Sequence, residues 1–216
     1  MKLVSTLDSS NKALWNWALG LALFTITYNI AEGLISTYLG FQDESLALFG
    51  FGADSFIEVI SGLGIVHMIV RIQRRPKSKR DAFEQTALRI TGFAFYGLVL
   101  VLVLTSIYNL YSGHRPVTTF WGVVISAISI LVMWLLVFGK KTIGKQLDSD
   151  PILADANCTM VCVYMSIVLL VSSGIYELVN IPYIDSIGTL GLSYFAFKEG
   201  RECFEKANSE KYCACD

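Results

Sequence analysis

Leu48–Val70 reads LFGFGADSFIEVISGLGIVHMIV, and this stretch decides the fold. A helix crosses a bilayer core in roughly 20 apolar residues. The run meets that length, and its only ionisable residues are Asp54, Glu58 and His67. Working outward, five more segments have the same character: about Ala13–Tyr38, Ala87–Leu110, Val117–Phe138, Ile152–Tyr176 and Ile181–Phe197. The first exceeds the ~7–15 apolar residues of a cleavable signal peptide and is expected to be retained as a span.

Composition agrees. The chain has 216 residues, 54% hydrophobic and 16% charged, with a mean hydropathy of +0.54. Soluble domains carry about a quarter charged residues. Disordered chains err in the opposite direction. Four prolines and 17 glycines exclude a collagen-like rod, and 5 cysteines in so long a chain exclude a small disulfide scaffold. A formal charge of -1 offers no basic excess for nucleic acid. The expected fold is all-α, an integral membrane bundle of six transmembrane helices with both termini cytoplasmic. Residues 1–12 form a cytoplasmic N-terminus, 13–204 the membrane domain, and 205–216 a short cysteine-containing cytoplasmic tail.

Orientation follows from the lysines and arginines, which concentrate on cytoplasmic loops. Arg71, Arg74, Arg75, Lys77, Lys79 and Arg80 lie between spans two and three. Lys140, Lys141 and Lys145 lie between spans four and five, and Lys198, Arg201, Lys206 and Lys211 follow span six. The opposite side has only Arg115, and its first loop is acidic (Asp43, Glu44).

Ionisable residues within a span are costly and become functional candidates. Asp54 and Glu58 are four residues apart, so they share one helix face. Two stacked carboxylates in a low-dielectric medium repel each other and need protons or a cation between them. Cys158 and Cys162 on span five have the same spacing. Span five runs opposite to span two, so Cys162 comes to mid-bilayer near Glu58, with Cys158 ~6 Å nearer the cytoplasm. Two carboxylates and two thiolates around one point would suit zinc, cadmium or another soft divalent ion. His67 is nine residues from Glu58, on the opposite side of the helix, and reads as a packing or interfacial residue. Arg89 is expected to snorkel or to pair with Glu84 or Asp81. The glycines of spans two and six (Gly52, Gly62, Gly64, Gly188, Gly191) read as close-packing positions.

From about Tyr28 to Phe204 the chain resembles the membrane domain of the cation diffusion facilitator family. Gly52-Ala-Asp-Ser-Phe-Ile-Glu58 stands where that family has Asp-x-x-x-Asp or His-x-x-x-Asp after small residues. Ala154-Asp155 is kept from the Ala-Asp-x-x-His-x-x-x-Asp pattern of span five, with Cys158 in place of the His and Cys162 in place of the Asp. Pro182-Tyr-Ile-Asp185, followed by Gly188 and Gly191, resembles the opening of its sixth span. The resemblance implies export of a divalent metal from the cytoplasm in exchange for protons, and a homodimer. It is to those members that lack the usual cytoplasmic metal-binding domain. Two cysteines make the site softer and favour zinc, with cadmium, mercury or lead as further cargoes, over manganese, magnesium or iron.

The expected metal ligands are therefore Asp54, Glu58, Cys158 and Cys162. Glu32 and Asp155 are candidate relay or supporting groups. Cys213 and Cys215 form a C-x-C in the tail that could capture a soft metal. The expected partners are the divalent cation, protons and the lipid bilayer, with no nucleic acid and no resident cofactor. The expected location is the inner membrane of a bacterium, and no enzyme signature such as a P-loop or Ser-His-Asp set is present. Two alternatives use the same residues: a membrane thiol oxidoreductase built on Cys158 and Cys162, and a metal-binding sensor or scaffold without flux.

Overall fold

A computed structural model describes residues 2–74, 82–113, 115–181 and 183–208. Asp81, His114, Pro182, the basic residues of 75–80 and the tail cysteines Cys213 and Cys215 lie outside the described residues.

Among the described residues the chain is six antiparallel helices: α1 Lys2–Gln42, α2 Leu46–Arg74, α3 Ala82–Ser112, α4 Phe120–Gln146, α5 Asp150–Val179 and α6 Ile184–Asn208. Each predicted span is present. The first five are long and apolar enough to cross a membrane. The sixth falls short on composition. Charged residues crowd its last turns (Lys198, Glu199, Arg201, Glu202), and glycine, serine and threonine replace larger apolar residues in its first half. Those polar groups are turned inward: Asp185, Ser186, Thr189, Ser193, Glu199 and Glu202 are all buried. The outward faces instead carry residues such as Phe93, Leu100, Leu131 and Phe138, all more than half exposed. This is the distribution expected of a bundle whose solvent is lipid.

The helices outrun their apolar stretches, because a helix does not end where its charges begin. α4 continues past Phe138 to Gln146, so Lys140, Lys141 and Lys145 are helical and not loop residues as expected. α6 likewise continues past Phe197 and carries Lys206 in its last turn. α1 starts at Lys2, so residues 2–12 are continuous with the first span. α5 opens with Pro151 in its first turn, where the missing N–H costs nothing, and ends at Asn180 with φ 53°.

The most extensive packing joins α1 to α2, α4 to α5 and α3 to α6. Small residues permit these approaches. A Cβ on Gly52 would lie 2.5 Å from the Thr37 backbone nitrogen of α1, and one on Gly92 would lie 2.7 Å from the Phe204 ring of α6. Gly62, Gly64, Gly188 and Gly191 also face close neighbours, as expected of packing positions.

Candidate functional site

The polar interior is centred on Glu58. Its Oε2 accepts a hydrogen bond from Asn29 Nδ2 of α1 at 2.7 Å. Its Oε1 meets the Cys162 thiol of α5 at 2.5 Å. Three helices thus converge on one carboxylate. Asp54, one helical turn away on the same face of α2, is only 3% exposed, and its Oδ1 is buried without a hydrogen-bond partner. A carboxylate oxygen in that condition is costly unless a proton or cation reaches it.

A cavity of about 100 Å³ runs from this point toward the end of the bundle that carries the basic residues. Asn29, Glu58, Cys162, Cys158, Glu199 and Lys206 are among its lining residues. It is large enough to hold several waters and has polar groups to bind them. Glu58 and Cys162 line it, whereas Asp54 does not.

The two cysteines do not act as a pair. Cys162 faces Glu58, but the Cys158 sulfur lies 3.0 Å from the Lys206 ammonium of α6. Both thiols are free, as is Cys203. The equal spacing put both on one face of α5 correctly. It could not show that two different helices, α2 and α6, pack against successive turns of that face. Among the described residues, no three of the acid, thiol or imidazole side chains converge in the arrangement of a closed metal cage. The expected four ligands are thus brought together as one contact pair, Glu58 with Cys162, flanked by Asp54 on one side and Cys158 on the other.

The supporting groups are placed as follows. Glu32 is buried, accepting from Tyr28 Oη at 2.9 Å and Ser55 Oγ at 3.1 Å. With a further hydrogen bond from Ser129 of α4, it ties α1 to α2 and α4, beside the site and not in the cavity lining. Asp155 does line the cavity and forms an ion pair with Lys140 Nζ at 3.0 Å. Lys140 also donates to Thr159 Oγ1 at 2.9 Å and is 3% exposed. The expected solvated loop lysine is therefore a buried counter-ion joining α4 to α5. Glu84 is held by Arg71 Nε at 2.5 Å and Nη2 at 2.9 Å, and not by Arg89, whose Nη2 reaches Asn208 at 3.4 Å. His67 packs on the Phe83 ring at 4.6 Å and lies 3.6 Å from Glu84, away from the Glu58 centre as expected.

Asn29, Lys140, Glu199 and Lys206 were not expected in the site. An asparagine in the middle of span one was the available signal for the first, because a buried amide needs partners in hydrocarbon. The lysines gave no such signal, since charge at the end of a span usually marks topology alone.

Residues 22–210 match the family model described as the cation efflux transmembrane domain. The chain belongs to the cation efflux family. It is also 22% identical over 207 residues to magnetosome protein MamB of Paramagnetospirillum magneticum, a match that covers 94% of this chain and 67% of that protein. Cation efflux proteins are membrane transporters of metal cations. The chain is accordingly a multi-pass integral membrane protein whose substrate is a metal cation.

Proposed function

We propose that the protein exports a divalent soft metal from the cytoplasm in exchange for protons, with zinc as first cargo and cadmium, mercury or lead as further ones. The observation that carries this reading is the contact of Glu58 with the Cys162 thiol at the inner end of the cavity, with an unpartnered Asp54 oxygen one turn beyond. A thiol and carboxylates supply mixed sulfur and oxygen donors, and sulfur favours soft or borderline cations. Metal binding to such groups requires that they release their protons, so loading with metal and unloading of protons are one event at one place.

The basic end of the bundle is taken as the cytoplasmic end by the positive-inside rule. The cavity then opens to the cytoplasm. Cation entry past so many basic residues is feasible because the buried ones are matched: Arg71 by Glu84, and Lys140 by Asp155. Asn29 holds one oxygen of Glu58 and leaves the other aimed at Cys162. Return to the outward state carries the metal out, and protons reload the acid and thiol groups. The protein is read as a homodimer in the inner membrane of a bacterium.

The test is uptake of zinc or cadmium into inverted or reconstituted vesicles under an imposed pH gradient. Asp54→Ala and Cys162→Ala are each expected to abolish flux. Unchanged flux in both would sink the reading. Metal binding that persists with no flux in the unaltered protein would favour the sensor or scaffold alternative.

A further inference from the structure

A buried lysine is rare, because burying an ammonium is costly unless partners replace its water. Lys206 is 6% exposed although it lies only two residues before the end of α6 at Asn208. From that position the long aliphatic stem of a lysine can reach bulk water by extending toward the helix end. Instead the ammonium turns inward. It lies 3.0 Å from Cys158 Sγ and 3.3 Å from Glu202 Oε2. Lys206, Cys158, Cys203 and Glu199 all line the cavity. Glu199 is itself buried, with one oxygen that has no hydrogen-bond partner. A cation supplied by the chain therefore sits on a thiol of the cavity, among donors a metal would use.

An ammonium and a divalent metal cannot both hold Cys158. They repel each other, most strongly where water is scarce, and an ammonium has three donors and no lone pair with which to ligate. We propose that Lys206 is a tethered placeholder cation: it occupies the Cys158 position in the empty transporter, and cargo displaces it toward water at the basic end. The proposal rests on the reading of Cys158 as a cargo ligand. Lys206 is then a selectivity-determining residue and not a ligand. A cation that forms a bond to sulfur gains enough to evict the ammonium, whereas a hard cation that merely brings charge does not. Displacement also removes a contact between α5 and α6, so arrival of cargo is felt between helices.

The experiment uses the purified full-length protein in detergent, treated with a water-soluble amine-acylating ester with and without cadmium, and read by peptide mass spectrometry at Lys206. Lys198, about half exposed on the same helix, is the internal reference. Cadmium binding is measured in parallel by equilibrium dialysis in the unaltered protein, Glu58→Gln and Cys162→Ser. The expected result is slow acylation of Lys206 in the empty protein and a several-fold rise at saturating cadmium, with Lys198 unchanged. Cys158→Ser is expected to show the faster rate with or without cadmium. A merely structural lysine would not respond to metal. If Lys206 acylation is the same with and without bound cadmium, while binding is lost in Glu58→Gln and Cys162→Ser, the placeholder is overturned and the cargo site stands. If binding is undiminished in both variants, the cargo site itself is overturned.

Discussion

At the end of the bundle where α1 turns into α2, Asp185 of α6 accepts from Ser45 Oγ at 2.6 Å and from the Leu46 backbone nitrogen at 2.9 Å. Beside it, Glu177 accepts from Thr118 Oγ1 at 2.8 Å and from the Thr119 backbone nitrogen, and Tyr176 Oη donates to the Pro116 carbonyl at 2.6 Å. The Val117 nitrogen bonds the Asp43 carbonyl at 2.8 Å. At the opposite end the helices are joined through long charged side chains: Arg71 to Glu84, Lys140 to Asp155, and Lys206 to Cys158. The cavity lies at that second end. The difference teaches what kind of bond suits each task. A carboxylate fastened to backbone amides has little play and suits a fixed joint. An ion pair on flexible stems can swing and re-form, which suits the end that holds the cavity.

The comparison is broken most directly at the basic end. Lys140→Met leaves Asp155 without its ion-pair partner and is expected to cost about 3–5 kcal/mol, read from chemical unfolding in detergent. Lys140→Met with Asp155→Leu should recover most of that loss, because replacing both partners removes the stranded charge. A smaller contrast tests the closed end. Asp185→Ala strands the Ser45 hydroxyl and the Leu46 N–H, at an expected cost of about 1–3 kcal/mol. It should also let a membrane-impermeant thiol reagent, added on the acidic side of oriented vesicles, reach Cys162. No gain in Cys162 labelling would show that the carboxylate anchor does not seal that end. The smallest effect is expected where charge is exposed. Arg201 and Glu205 form an i,i+4 pair at 3.2 Å with both side chains largely in solvent, and Arg201→Ala should change stability by less than about 0.5 kcal/mol. A larger value would mean that charge at the basic end is structural throughout.

The sequence reading and the structure part company for a physical reason visible in these residues. The spans were legible because lipid demands long apolar runs, and Asp54 and Glu58 stood out because such runs exclude charge. The i,i+4 spacing placed Cys158 and Cys162 on one face of α5 correctly. It carried no information about which helix packs against each turn, so the separation of Cys162 toward Glu58 and Cys158 toward Lys206 was not legible. Lys140 and Lys206 were misread for the same reason. Hydropathy falls where charge begins, whether a lysine points to water or back into the bundle. Nothing in the sequence paired Asn29 with a carboxylate of another span, yet it is the amide that holds Glu58.

α1 with α2, and α4 with α5, are neighbours in sequence and can dock as hairpins soon after they leave the ribosome. The principal partner of α3 is α6, the last of the six helices to be synthesised, so Gly92 and Phe95 wait for Phe204 and Gly200 while more than eighty residues are added. During that interval one face of α3 has only lipid to cover it. Completion of the final helix is therefore the step that closes the bundle, and nascent chains halted before it are the ones a membrane quality-control protease would meet half-built.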